Sequence, residues 1–309
     1  MSKVGRRFYQ LDAFLFAVVT IIIMGLEFGN GGCIDTNEDK LSPEQLLGSN
    51  YRYVVYGEQD NQGIKMFDLK TLQYMQIIAP GKNERLAMSL PKPYPNKGSQ
   101  IVFIENNIEN EEKSRLVILN IKTGEKKTLL SPGINSQIYN FSISKNAEQI
   151  MFINQKDNSL YLWNATGNDL KKLKKHNKNF NEVYFSGGVF YLIDFEEMET
   201  HLYNTNGEFI RKYGKIILAR SDQGNVRLIF DKKERIKFLE FSSSGRTKKV
   251  FGAYSVFMTE DGEFLVYDRF ESKHKDSLII CETRTGKEIT LDLQNHIGPI
   301  QGVALLRGN

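Results

Sequence analysis

The sequence predicts an all-β chain, a six-bladed β-propeller of four-stranded blades, closed by the C-terminal strand joining the first blade. Three observations carry this prediction. A turn glycine recurs at Gly124, Gly167, Gly207, Gly245 and Gly286, at spacings of 43, 40, 38 and 41 residues. A period near 40 with about four strands per unit marks a propeller blade. A continuous apolar run stands earlier in each unit: Ile101–Ile104, Ile150–Ile153, Val189–Ile193, Val226–Phe230 and Phe264–Tyr267. The ends of the repeat are complementary: Tyr51–Tyr56 reads as a second strand without its first, and Ile300–Leu306 as a first strand without its second. Placing both in one blade closes the ring and removes its open edges.

The N-terminus reads as an address. Lys3, Arg6 and Arg7 precede Ala13–Leu26, a run of 14 uncharged, mostly apolar residues bounded by Asp12 and Glu27. A spanning helix needs about 20 apolar residues, so the run fits a signal-peptide core better. Gly29-Asn30-Gly31-Gly32-Cys33 follows. A glycine directly before a cysteine, just past such a core, resembles the bacterial lipoprotein signal, in which that cysteine is lipidated. Cys33 is the candidate, beside cleavage after Gly31 or an uncleaved anchor. The expected organisation is 1–32 signal peptide or membrane anchor, 33–50 polar tether and 51–309 β-propeller.

Within each unit, two turns set the register. The earlier ones are Asn96-Lys97-Gly98, Lys145-Asn146-Ala147, Ser186-Gly187-Gly188, Asp222-Gln223-Gly224 and Glu260-Asp261-Gly262. The apolar run after each is what a strand buried between two neighbouring blades requires. The later turns hold the recurring glycine, which a short hairpin favours because it needs positive φ. In the first unit Leu72 stands in place of that glycine. Composition agrees: 40% hydrophobic residues, 14 Tyr and 20 Phe suit a packed sheet protein. The two cysteines make no disulfide framework or zinc site, and Cys281 reads as a small buried hydrophobe.

A turn glycine, an apolar strand, an Asp or Asn near the third strand, then Thr-x-Gly and a basic fourth strand together resemble TolB-type β-propellers, over Tyr51–Asn309. Six blades are what that resemblance implies. It also implies that the face bearing the blade-to-blade connections is the usual binding face.

Candidate functional residues fall into three groups. Lys126-Lys127, Lys171-Lys172, Arg211-Lys212, Lys248-Lys249 and Lys287 fall on fourth strands, the outer edges of blades. Charge there discourages edge-to-edge pairing, and a nucleic-acid face would need it gathered on one side. The first blade's outer strand, Leu72–Ala79, carries no charge, so either the tether or a loop covers it or it is a docking edge for a partner strand or another copy. The third group follows the second strands: Glu58, Glu105, Asn154, Asp194, Asp231 and Asp268. On one rim these oxygens would bind a cation or a basic segment; alternatively they begin turns.

Catalytic signatures are missing from the sequence. It has no Gly-x-Ser-x-Gly elbow, and His176, His201, His274 and His296 show no metal-ligand spacing. The expectation is a non-catalytic protein- or peptide-binding module without cofactor or nucleic-acid partner. It is exported to the cell envelope, periplasmic or surface-exposed, and held to the membrane by its N-terminus. The alternative is a metal- or carbohydrate-binding propeller resembling a polysaccharide lyase.

Overall fold

Alternating apolar strands that end in tight turns assemble six four-stranded antiparallel sheets. The computed structural model describes residues 41–58, 63–78, 91–95, 97–106, 114–131, 137–173, 180–231, 236–241, 245–250, 255–272, 275–292 and 300–308. The signal or anchor segment and Cys33 lie outside these residues.

Blade 1 holds β1 (Tyr51–Glu58), β2 (Ile64–Asp68) and β3 (Gln73–Ile78). Blade 2 holds β4 (Lys92–Pro93), β5 (Gln100–Asn106), β6 (Ser114–Asn120) and β7 (Lys126–Leu130). Blade 3 holds β8 (Ile138–Ile143), β9 (Gln149–Asn154), β10 (Ser159–Asn164) and β11 (Asp169–Lys172). In blade 4 these are β12 (Glu182–Ser186), β13 (Val189–Asp194), β14 (Glu199–Tyr203) and β15 (Phe209–Tyr213). Blade 5 follows with β16 (Ile216–Arg220), β17 (Val226–Asp231), β18 (Ile236–Phe241) and β19 (Thr247–Val250). Blade 6 holds β20 (Val256–Met258), β21 (Phe264–Ser272), β22 (Lys275–Glu282) and β23 (Glu288–Asp292). The last strand, β24 (Ile300–Arg307), returns to pair with β1, with Tyr53 opposite Leu306 and Val54 opposite Leu305. The predicted closure is therefore the observed one.

Each junction between neighbouring blades has its own apolar cluster. Side chains alternate across a strand, so one second strand feeds two clusters. In β5, Ile101 and Phe103 pack toward blade 1, while Val102 and Ile104 pack toward blade 3. In β9, Ile150 and Phe152 face blade 2, and Met151 and Ile153 face blade 4. Both faces are buried, which explains the continuous apolar runs. Among the described residues, the junction of blades 4 and 5 has the fewest buried apolar side chains, Tyr191, Leu202 and Ile217. Hydrogen bonds reinforce it: Thr200 Oγ1 accepts from Ile217 N–H at 2.9 Å and donates to Lys215 O at 2.9 Å.

The turns follow the sequence with one shift. Gly124, Gly207, Gly245 and Gly286 have φ between +64° and +79°, and Leu72 takes the same region at +56°. In blade 3, Asn168 rather than Gly167 has the positive φ, at +48°. Asn tolerates that region through its short polar side chain. Among the earlier turns, Ala147 N–H donates to Ser144 O as Gly224 does to Ser221 O and Gly262 to Thr259 O. Ala147 does so at φ +60°. Ala147→Gly is therefore expected to stabilise the protein by about 1 kcal/mol, the size of the left-handed penalty after glycine's entropy. A urea melt measures it, and a lowered midpoint would refute it.

The polar tether expected up to Asn50 ends sooner. Ser42 caps a short helix, α1 (Pro43–Gly48), with a capping box to Gln45. Leu41 and Leu46 are buried against the blade 6 and blade 1 cluster, beside Tyr51 and Phe264. This stretch does not cover β3, where Met75 is 47% exposed, or the turn before it, where Leu72 is 59% exposed.

Candidate functional site: the central channel

The first strand of each blade, β4, β8, β12, β16, β20 and β24, lines a central cavity of about 560 Å³. Its wall mixes aromatic residues (Tyr94, Tyr184, Phe185, Phe257) with charged ones from different blades.

Lys92 and Glu182 place opposite charges inside the wall. The Lys92 backbone lies in the shortest of the lining strands, between Pro91 and Pro93. Its Nζ donates to Asn140 Oδ1 at 3.2 Å and Val183 O at 3.0 Å, and also to Phe141 O. One ammonium thus spans the walls of blades 2, 3 and 4, held by main-chain carbonyls that face the channel. Burial pushes its pKa down to about 8, against the opposing pull of the Glu182 carboxylate. Burial in turn raises the Glu182 carboxyl, with Lys92 and Lys237 opposing. Tyr184 donates its hydroxyl to Ile217 O at 3.0 Å. Its phenol is held well above its usual range, first by burial.

The depressed Lys92 value has a definite sign. Between about pH 8 and the ordinary lysine value of 10.5 the unfolded chain binds more protons than the folded one. Stability from this group therefore rises with pH across that window. Lys92→Met removes the effect. The wild type is expected to gain on the order of 3 kcal/mol over Lys92→Met as pH rises through the window, read from paired urea melts. Parallel pH curves would refute it.

At the turns between first and second strands, Lys145 reaches over the channel. Its Nζ lies 3.0 Å from Asp222 Oδ2 and 3.1 Å from Glu260 Oε2. The three residues come from blades 3, 5 and 6.

The residues predicted as a rim stand where expected along the chain, near the ends of second strands. Glu105, Asn154, Asp194 and Asp268 are each at most 5% exposed. Asn154 Oδ1 accepts from Gln137 N–H at 2.9 Å, and Asp268 Oδ1 accepts from Ser255 N–H at 2.6 Å. Both bonds tie the second strand to the start of the first within a blade. Asp194 Oδ1 accepts from Glu197 N–H at 2.9 Å, inside its own turn. Glu105 pairs with Arg115. Asp231 is half-buried at the end of β17, and Glu58 closes β1, its side chain outside the described residues. These contacts are those of turn and strand-end residues. Among the described residues no three His, Cys, Asp or Glu side chains gather as a metal-ligand set. His201 is buried between Phe180 and Phe209, 3.1 Å from Glu199. His176, His274 and His296 lie outside the described residues. Cys281 is 1% exposed, its thiol pushed up to about 11 by burial.

The basic pairs lie on or beside the outer strands β7, β11, β15, β19 and β23, spread around the ring. Sequence reasoning assigned lysines to edges and so missed Lys92 and Lys145. Lys92 sits in no periodic pattern, although Pro91 and Pro93 around it mark an unusual lining strand; Lys145 sits in the recurring turn between first and second strands, which was read for its backbone alone.

The fold is shared with solved propellers. A structure of a nidogen/laminin complex matches with TM-score 0.60 and 11% identity over 82% of this chain and 98% of that one. An oligogalacturonate lyase in complex with manganese matches with TM-score 0.50 and 10% identity over 75% and 71%. TolB from Acinetobacter baumannii matches with TM-score 0.48 and 11% identity over 89% of each chain. At this identity the likeness is one of fold. No family model and no curated protein sequence matches the chain.

Proposed function

We propose that this propeller is a non-catalytic protein- or peptide-binding module of the cell envelope, exported and tethered through its N-terminus, which takes its ligand in the central channel. The observation that carries the reading is the channel wall itself. Carbonyls of β8 and β12 face inward and already accept from a side-chain ammonium. Tyr94, Tyr184, Phe185 and Phe257 stand beside them. Main-chain acceptors next to aromatic surfaces are the groups with which a sheet protein holds an extended peptide. A cavity of about 560 Å³ is within the usual range of ligand sites. The signal-like N-terminus, with its 14-residue apolar run, supports export.

A photo-crosslinking residue placed at Phe257 is expected to capture a polypeptide in envelope fractions, while one at Lys127 on an outer edge captures none. Equal capture at both positions would sink the reading. For the tether, mass spectrometry of the mature N-terminus is expected to find a lipidated Cys33, and any other terminus removes that anchor. The manganese-bound lyase among the similar structures brings metal and carbohydrate binding into view. No contact among the described residues favours that reading over the first.

A further inference from the structure

Three blades contribute to one ionic contact at the channel mouth formed by the turns between first and second strands. Lys145 belongs to the β8–β9 turn, Asp222 to the β16–β17 turn and Glu260 to the β20–β21 turn. All three residues line the cavity. In a six-membered ring, blades 3 and 6 stand opposite each other, so a side chain joining their turns must cross the mouth. Asp222 is held from below, and Glu260 is tied to it through its backbone, while the Glu260 side chain is 56% exposed. Asp222 Oδ1 accepts from Gly187 N–H at 3.2 Å, and Asp222 N–H donates to Glu260 O at 2.8 Å. Lys145 reaches both from a long flexible stem, its side chain likewise 56% exposed. Its ammonium is shifted upward, first by Asp222 and then by Glu260, so it stays charged.

We propose that Lys145, Asp222 and Glu260 form a releasable latch barring this mouth of the channel, and that the ligand group which releases it is a carboxylate. The inference rests on the reading of the channel as the binding site. Exposed ion pairs are individually weak, so this contact closes the mouth without sealing it. Lys97, Arg220 and Arg307 line the same cavity. Against these stand Glu182 and the two latch carboxylates, so cations outnumber anions along the wall, and an arriving carboxylate is drawn in and takes the Lys145 ammonium from Asp222 and Glu260. Asp222 keeps the Gly187 amide when that happens. A cationic group would instead have to pass the basic surround and displace Lys145 from the acidic pair.

Access to the mouth can be read without knowing the natural ligand. In the full chain, a cysteine reporter at Phe185 or, separately, at Met258 is labelled with a polymer-linked maleimide too bulky to traverse the channel. The chain lacking the reporter, with Cys33 and Cys281 unchanged, serves as blank. Lys145→Met is expected to speed labelling roughly three- to tenfold, as two weak exposed pairs allow. The Asp222→Asn, Glu260→Gln pair should do the same. Salt at roughly 1 M, where screening acts within about 3 Å, should speed labelling of the wild type and leave Lys145→Met unchanged. A triglutamate peptide should accelerate labelling of the wild type, and trilysine should not. Unchanged rates on Lys145→Met at both reporters would overturn the latch. Acceleration by trilysine instead of triglutamate would overturn the carboxylate assignment. Crosslinking at Phe257 and labelling at the mouth are independent, so failure of one reading is distinguishable from failure of the other.

Discussion

A chain ended after Pro299 is expected to show no cooperative unfolding transition. The loss would be β24, whose Ile300, Val303, Leu305 and Leu306 are each at most 4% exposed and whose Ala304 is fully buried. Burying a large aliphatic side chain contributes about 1.5–3 kcal/mol, so those four represent roughly 6–12 kcal/mol. That matches the whole net stability of an ordinary domain, about 5–15 kcal/mol. The damage also spreads beyond one strand. Ile300, Val303 and Leu305 belong to the cluster between blades 6 and 1, while Ala304 and Leu306 belong to the one between blades 1 and 2. Circular dichroism during a urea titration tests this, and adding the 300–309 peptide should restore part of the signal. A sharp transition near that of the full chain would show that the ring stands without its closing strand.

The second large effect is expected from a single methyl group. Gly63 precedes β2 with φ +89°, and a Cβ built there would lie 1.9 Å from the Ile78 carbonyl oxygen. That oxygen is backbone in the paired strand β3, beside a register shift at Ile64 and Lys65, so no rotamer change relieves the clash. Gly63→Ala should cost roughly 2–5 kcal/mol, combining the left-handed penalty with overpacking. Gly124 is the control. It has φ +74° with nothing within 4 Å of the added Cβ. Gly124→Ala should therefore lose only the conformational part, about 1–2 kcal/mol. Equal losses in paired urea melts would show that the close approach to Ile78 does not matter.

The blades were legible because a β-strand with both faces buried leaves a local mark. Ile101–Ile104 and Ile150–Ile153 are uniformly apolar whatever lies far along the chain. Positive φ leaves another mark, as Gly124 and Gly286 show. It is less exclusive, because Leu72, Ala147 and Asn168 adopt the same conformation without glycine. The channel was not legible. Lys92 meets carbonyls at positions 141 and 183, and Lys145 meets Asp222 and Glu260, partners that come near only when blades are set around a ring. No sequence window holds both ends of such a contact. The acidic series was visible as a series, but a strand-end carboxylate that takes a backbone amide and one that waits for a cation have the same spacing.

The pairing of Tyr53 with Leu306 also bears on the time course of folding. A contact between segments so far apart in the chain carries a large loop-closure entropy and forms late. On the ribosome, blades 2 to 6 can collapse as each emerges, because their strands are local hairpins. Blade 1 cannot finish until Ile300–Arg307 has left the exit tunnel. Until then β1 presents its unpaired inner edge, and the nascent chain is a row of blades rather than a ring. Closure of the ring is thus coupled to the end of synthesis, and blade 1 waits on the last strand for its final neighbour.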